Sequence, residues 1–391
     1  MISTKEKENT KREKQILKEA ITDALNQGQS FSLWKTPGIN QKHLILCSAI
    51  KEVADFVLED GTSGFAFAPF DPNGKKFLFP DDVHYQFENE IQTEGPQGDS
   101  SSIRKSLTNY SNEKPKYHRA IIIEHRSSID FVELVKKGLQ KISTGQIEKV
   151  VPSRCEDIAI TDEFDLLQAF EVLCEKNPQA MVSLVSSPQT GTWLGATPEL
   201  LVSVNNQSVF KTIALAGTLP YSPEIDLKSV SWTQKEIEEQ ALVCRYIINC
   251  FKKIRLREYE EHGPRTVVAG NVMHLKTIYE VDMSATNFPQ LGSVMLKLLH
   301  PTSAVCGMPF ENAFSFLKNN EGYHREFYSG YLGPVQINNE SQIFVNLRCM
   351  RVYKESARLY AGAGITIDSD PEKEFEETEM KMQNLQNLLI P

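Results

Sequence analysis

Leu359-Tyr-Ala-Gly-Ala-Gly-Ile-Thr-Ile-Asp-Ser-Asp-Pro-Glu-Lys-Glu-Phe-Glu-Glu-Thr-Glu-Met-Lys381 changes character twice. An apolar strand gives way to a small-residue turn, and the turn to an acidic helix. Gly362 and Gly364 carry no Cβ, so the backbone can pass close to a ligand. Ser369 or Asp370 can cap the helix, Pro371 suits its first position, and the acidic first turn complements the helix dipole. Phe375, Thr378, Met382, Leu385 and Leu389 recur at helical spacing and predict a buried stripe. Glu374, Glu377 and Lys381 fall together on another face. Spacing alone also describes a solvated charged surface, so the rest of the chain must decide between the two.

The chain has 391 residues, room for one large or two ordinary domains, and its 40% hydrophobic content allows a large core. A net charge of −9 argues against a nucleic-acid surface, and an anionic substrate would need a few placed cations instead of the global field. No apolar run approaches the ~18 residues of a membrane span. The charged stretch from Lys5 to Lys18 lacks a signal-peptide core. The seven cysteines (47, 155, 174, 244, 250, 306 and 349) form no CxxC pair and read as thiols of a reducing cytoplasm.

Outward from the C-terminal run, strand patterns fall at Gly330–Gln336, Ile343–Val352 and Ala357–Ile365. Others fall at Phe31–Lys35, His43–Cys47, Gly64–Ala68, Glu148–Arg154, Met181–Val185, Thr192–Ala196, Leu200–Val204 and Val209–Ala214. Helical patterns cover residues 11–27, Ile129–Thr144, Leu166–Cys174 and 233–257, the last with Ile237, Ala241, Cys244, Ile248 and Phe251 as its predicted stripe. The polar stretch from Glu88 to Lys116 predicts a long loop. Neighbouring strands in hairpin order with separate helices imply an α+β fold with large antiparallel sheets in the core and helices packed outside.

Several side chains could carry chemistry. Glu236 and Glu239 lie three apart in the long helix, opposite the predicted stripe. If that helix met the C-terminal one, four carboxylates would converge, and a hard, oxygen-coordinated cation such as Mg²⁺ would suit them. Two solvated faces satisfy the same spacing. Lys149, flanked by Val150 and Val151, is a candidate desolvated base, although most strand lysines point to water. Glu199 opens an apolar strand and could hold a raised pKa. His274 sits in the apolar run Val272-Met-His-Leu275, a common setting for a hydrogen-bonded core histidine.

Taken in order, these segments resemble the chorismate-utilising enzymes, which include the isochorismate, anthranilate, aminodeoxychorismate and salicylate synthases. The resemblance rests on Lys149-Val-Val-Pro-Ser-Arg154, Gly195-Ala-Thr-Pro-Glu-Leu-Leu201, Ala214-Leu-Ala-Gly-Thr218, Lys235-Glu-Ile-Glu-Glu239 and Val272-Met-His-Leu275. It continues through Leu299-His-Pro-Thr-Ser-Ala304, Arg325-Glu-Phe-Tyr-Ser-Gly330, Val345-Asn-Leu-Arg348 and Tyr360-Ala-Gly-Ala-Gly364, and closes with the acidic helix. It covers residues 120–390 as a catalytic region, with 1–115 as the front part of the same fold.

The resemblance implies Glu239 and Glu377 as Mg²⁺ ligands, with Glu236 and Glu374 beside them. It implies Arg348, Tyr328, Gly362 and Gly364 as a carboxylate grip, and Gly217, Thr218, His274, Ala304 and Lys381 as further substrate contacts. Lys149 stands where water-using members carry a base. Ala216 stands where aminodeoxychorismate synthases carry a nucleophilic Lys. Ala304 resembles the residue of isochorismate synthases, where amine-forming and salicylate-forming members tend to have Thr.

The implied activity is Mg²⁺-dependent, reversible conversion of chorismate to isochorismate, with Lys149 activating water at C2 and Glu199 protonating the departing C4 hydroxyl. A salicylate synthase and a non-catalytic chorismate-binding subunit are the rival readings. A monomer acting without a glutamine amidotransferase subunit, in menaquinone or siderophore synthesis, completes the expectation. The chain departs from the family pattern at Pro152, Gln240, Ser303, Cys306 and Phe310.

Overall fold

The computed structural model describes residues 4–88, 90–94, 115–120, 130–161, 163–269 and 272–389. Two nine-stranded sheets dominate it. The first runs in the order Glu90–Glu94, Val83–Glu88, Lys42–Cys47, Ser30–Lys35, Met181–Ser187, Gly191–Thr197, Cys349–Val352, Ser356–Gly362, Ser153–Ala159. The second runs Glu260–Ala269, Val272–Asp282, Val209–Pro220, Leu200–Val204, Ser341–Val345, Tyr331–Val335, Gly64–Ala68, Lys76–Pro80, Lys51–Val53. Neighbours pair antiparallel, as between Ser30–Lys35 and Met181–Ser187 or Val209–Pro220 and Val272–Asp282. The residues ahead of 115 supply four strands to the first sheet and three to the second.

The sheets face each other across an aromatic layer in which Trp34 and Phe65 lie 5.0 Å apart and Phe67 meets Trp193 edge-on at 6.2 Å. Helices cover the outer faces. Thr4–Asn26, Leu166–Lys176 and Pro371–Leu389 pack on the first sheet, while Phe131–Ser143, Gln234–Lys253, Leu291–Leu299 and Phe310–Asn320 pack on the second. Central strands such as Ser30–Lys35 and Gly64–Ala68 are buried on both faces for this reason. The α+β reading holds.

Several expectations need correction. Glu148–Arg154 is not one strand. It breaks into Lys149–Val150 and Ser153–Ala159 at Pro152, which has no N–H to give a ladder. Ile343–Val352 breaks at Arg348, whose φ of 47° turns the chain. Residues 90–94 of the expected polar loop form a strand, and residues 95–114 lie outside the described residues.

The long helix buries Glu236, Gln240, Val243, Ile247, Cys250 and Phe251, and leaves Ile237 exposed. Its predicted stripe is therefore rotated, and Glu236 lies on the buried side. The C-terminal helix likewise buries Glu374 with Thr378, Met382 and Leu385, while Phe375 sits half out under the Arg154 guanidinium. Asp370 caps that helix, accepting from the Lys373 amide at 3.0 Å.

Candidate active site

Lys149 takes its place from two neighbouring backbones. Lys149–Val150 pairs with Gly307–Met308 on one side, and Val150 bridges to Ile365 on the other. This leaves Lys149 without solvent exposure, its Nζ donating to Glu239 Oε1 at 2.9 Å. The chain at Gly364 runs against this ion pair. A methyl group there would overlap the Glu239 carboxylate and stand 3.1 Å from Lys149 Cε, so glycine is needed for the close approach.

Arg348 projects into the same space from its turn between two strands. Its Nη1 donates to the Ala269 carbonyl and its Nη2 to His274 Nε2, both at 2.9 Å. His274 Nδ1 lies 2.7 Å from the Gly217 carbonyl, which can only accept, so that nitrogen carries the hydrogen. The imidazole is thus neutral, and its pKa falls to about 3 through burial and the adjacent Arg348. Burial also lowers Arg348 to about 10. Among the described residues no carboxylate pairs with this guanidinium.

Glu199 sits on a turn fixed by its own backbone, with its amide donating to Thr197 Oγ1 and its carbonyl accepting from Val345. Burial raises its carboxyl to about 7, against the pull of Lys149, Lys381 and Arg348. Lys381 donates to the Gly362 carbonyl at 2.9 Å and to Glu377 at 2.7 Å, tying the acidic helix to the glycine turn.

Glu199, Gly217, Thr218, Glu239, His274, Ala304, Tyr328, Arg348, Gly362, Gly364 and Lys381 line one cleft of about 750 Å³, counting its open mouth. Lys149 stands behind Glu239, and Glu236, Glu374 and Glu377 lie outside the lining. Pro198, Ser329 and Tyr360 line it without having been singled out. Tyr360 stacks 5.0 Å from Tyr328, and its place within the quoted Tyr-Ala-Gly-Ala-Gly run was the available signal.

The two acidic helices do meet, joined by a Lys235–Glu374 ion pair. Their carboxylates are interleaved with other groups: Glu239 holds Lys149, Glu377 holds Lys381, and Glu236 closes a capping box on Thr233. Among the described residues, the only His, Cys, Asp and Glu ligand atoms that cluster in threes belong to Glu260, His262 and Glu280, elsewhere on the surface.

The acid set nonetheless fits a hard divalent cation chemically. Burial and then Glu377 raise the Glu374 carboxyl, a sign of crowded negative charge. Lys149 and its neighbouring cations outweigh burial to hold Glu239 low. Four carboxylates here face three lysines and Arg348, so an incoming dianion would leave an excess of negative charge that one divalent cation offsets.

Residues 83–390 match the family described as "Chorismate binding enzyme". The chain is 27% identical over 292 residues to the vibriobactin-specific isochorismate synthase of Vibrio cholerae, covering 71% of this chain and 73% of that protein. It is 28% identical over 263 residues to the isochorismate synthase EntC of Escherichia coli, covering 66% of each. The solved structure of MenF, the menaquinone-specific isochorismate synthase from Escherichia coli, shares the fold, with a TM-score of 0.74 at 22% identity over 95% of this chain and 91% of that one.

Proposed function

The chain belongs to the chorismate-binding enzyme family, and we propose that it is an isochorismate synthase. Lys149, which must be neutral when it acts, takes a proton from water, the water oxygen bonds to C2 of chorismate, and the ring double bonds shift. The C4–O bond breaks, and the hydroxyl leaves with the proton of Glu199. Arg348, Tyr328 and the Gly362–Gly364 turn receive the enolpyruvyl carboxylate. Thr218, Lys381 and the Gly217 backbone hold the ring. Glu239 and Glu377 would hold Mg²⁺, with Glu236 and Glu374 beside them. When bound, that cation supplies charge neutralisation for the ring carboxylate.

The observation that carries the reading is Glu199, a carboxyl raised to about 7 in a cleft where Arg348 lacks an anionic partner. An acid poised near neutral pH suits proton delivery. The cleft lining also supports water addition over its relatives' reactions. Ala216 offers no nucleophile, and Ala304 offers no hydroxyl to retain isochorismate for elimination. Reversibility follows from exchanging one ring hydroxyl for another.

A monomer acting without an amidotransferase subunit is part of the same proposal. So is a reducing cytoplasm, and among the described residues no helix is long and apolar enough to cross a membrane. Incubation with chorismate and Mg²⁺, followed by chromatography, tests the proposal. Isochorismate should accumulate, and chelation should stop it. Salicylate with pyruvate would favour a salicylate synthase, and binding without turnover a non-catalytic subunit.

A further inference from the structure

Pro152 interrupts the strand that carries Lys149, and the carbonyl just before the break needs a donor that the sheet cannot supply. Arg325 meets that need. Its Nη2 donates to the Val151 carbonyl at 2.6 Å, and its Nη1 to the Val305 carbonyl at 2.8 Å. Its Nε bonds Glu321 Oε2 at 2.8 Å. Glu321 Oε1 in turn accepts from both the amide and the hydroxyl of Ser153 at 2.8 Å. The Phe70 ring covers the guanidinium at 4.3 Å, and the residue is 4% exposed.

The two carbonyls belong to neighbouring segments that already pair through Lys149–Val150 with Gly307–Met308 and through the Val151 amide on the Cys306 carbonyl at 3.0 Å, and Arg325 closes the end of that ladder. Val151 lies two residues from Lys149, and Val305 follows Ala304, while Val151, Ala304 and Val305 all line the cleft. The Tyr328 amide also donates to the Arg325 carbonyl at 2.9 Å. One planar fork therefore bonds both the Lys149 segment and the Ala304 loop, a task that a single ammonium cannot perform, while the Arg325 backbone carbonyl holds the Tyr328 turn.

We propose that Arg325 is a positioning residue that locks the open end of the short ladder between the Lys149 segment and the Ala304 loop, and through it the placement of the base against the ring. The proposal rests on the isochorismate synthase reading for its kinetic consequence only. The Arg348 grip belongs to another segment, so binding and turnover should separate.

Arg325→Lys keeps the charge and the partnership with Glu321 but cannot bridge both carbonyls. It should lower kcat roughly 10- to 100-fold while KM for chorismate moves less than threefold. Amide hydrogen exchange, read on the same protein without substrate, should quicken at 149–153 and 303–308 and stay unchanged at 345–348. Should Arg325→Lys fail to fold, Glu321→Gln, which keeps the shape and the Ser153 contacts, should show a several-fold kcat loss with the same exchange pattern.

A folded variant with kcat within twofold of wild type, a KM rise that accounts for the whole loss, or exchange that quickens evenly over the chain would overturn the proposal. Wild-type protein that leaves chorismate untouched would sink the functional reading instead, and the exchange experiment would still decide the clamp.

Discussion

Two arginine sites in this molecule, Arg325 in the core and Arg348 partly buried at the cleft, are built on opposite principles. Around Arg325 every charge is answered: Glu321 pairs with it, and two carbonyls take its remaining donors. Around Arg348 the bonds go to a carbonyl and a neutral imidazole, and among the described residues no carboxylate pairs with it directly, Glu377 and Glu199 acting only at longer range. Glu199 nearby likewise forms no direct ion pair among the described residues, and burial raises its carboxyl to about 7 against the pull of Lys149, Lys381 and Arg348. A paired buried charge serves the fold, whereas an unpaired one costs stability that only a ligand or a reaction can justify. The lesson is that the incomplete site is the functional one.

The strongest way to break this contrast is to remove the reacting groups. Lys149→Ala and Glu199→Gln should each lower kcat by about 10²- to 10⁴-fold, with chorismate binding by calorimetry largely retained. Wild-type kcat/KM should fall as pH rises through about 7, because Glu199 must hold its proton to act as the acid. Above that point the fall should approach tenfold per pH unit. Residual activity of Glu199→Gln should lack this limb.

Stability supplies the next effect. Arg325→Met strands Glu321 in the core and should cost about 3–5 kcal/mol in urea unfolding. Arg348→Met removes a charge that no ion pair holds among the described residues and should cost less than about 2 kcal/mol, the loss of its two neutral acceptors' partner being the main effect. Equal costs would erase the distinction. Glu199 sharpens it through pH. Its folded pKa lies above the ordinary carboxylate value, so the native state binds the extra proton, and stability falls as pH rises from about 4.5 to about 7. Glu199→Gln should therefore gain stability at pH 8 relative to its effect at pH 4.

Smaller effects follow. Arg348→Lys replaces the fork with a point charge and should raise KM about tenfold with a lesser change in kcat. Ala304→Thr adds volume and a hydroxyl to the cleft wall, and a misfit of about 1 kcal/mol should slow isochorismate formation several-fold. Chromatography would also show whether pyruvate elimination appears.

Much of this was legible in the sequence where local pattern and global role agree. Lys149, followed by two valines, does prove to be buried, and the order of short motifs brought Glu199, His274, Arg348 and the glycine turn into one cleft. The helix faces were misread for a physical reason. Glu236, Gln240 and Glu374 are polar yet buried, while Ile237 is exposed, so the site inverts the apolar periodicity that normally reveals a helix face.

The hairpin Glu260–Ala269 with Val272–Asp282 was missed because its outer strand is exposed or half-buried throughout and shows no alternation. The turn at Arg348 left no trace either, since a positive φ in a non-glycine residue is imposed by its surroundings. The clamp at Arg325 depends on carbonyls from distant segments, which no local pattern encodes.

The central claim is that this cleft adds water to C2 of chorismate and releases the C4 hydroxyl. Turnover in water enriched in oxygen-18, with Mg²⁺ present and the product analysed by mass spectrometry, tests it directly. The expected result is isochorismate carrying one solvent-derived oxygen at C2. Unlabelled isochorismate, or chorismate recovered unchanged, would contradict it.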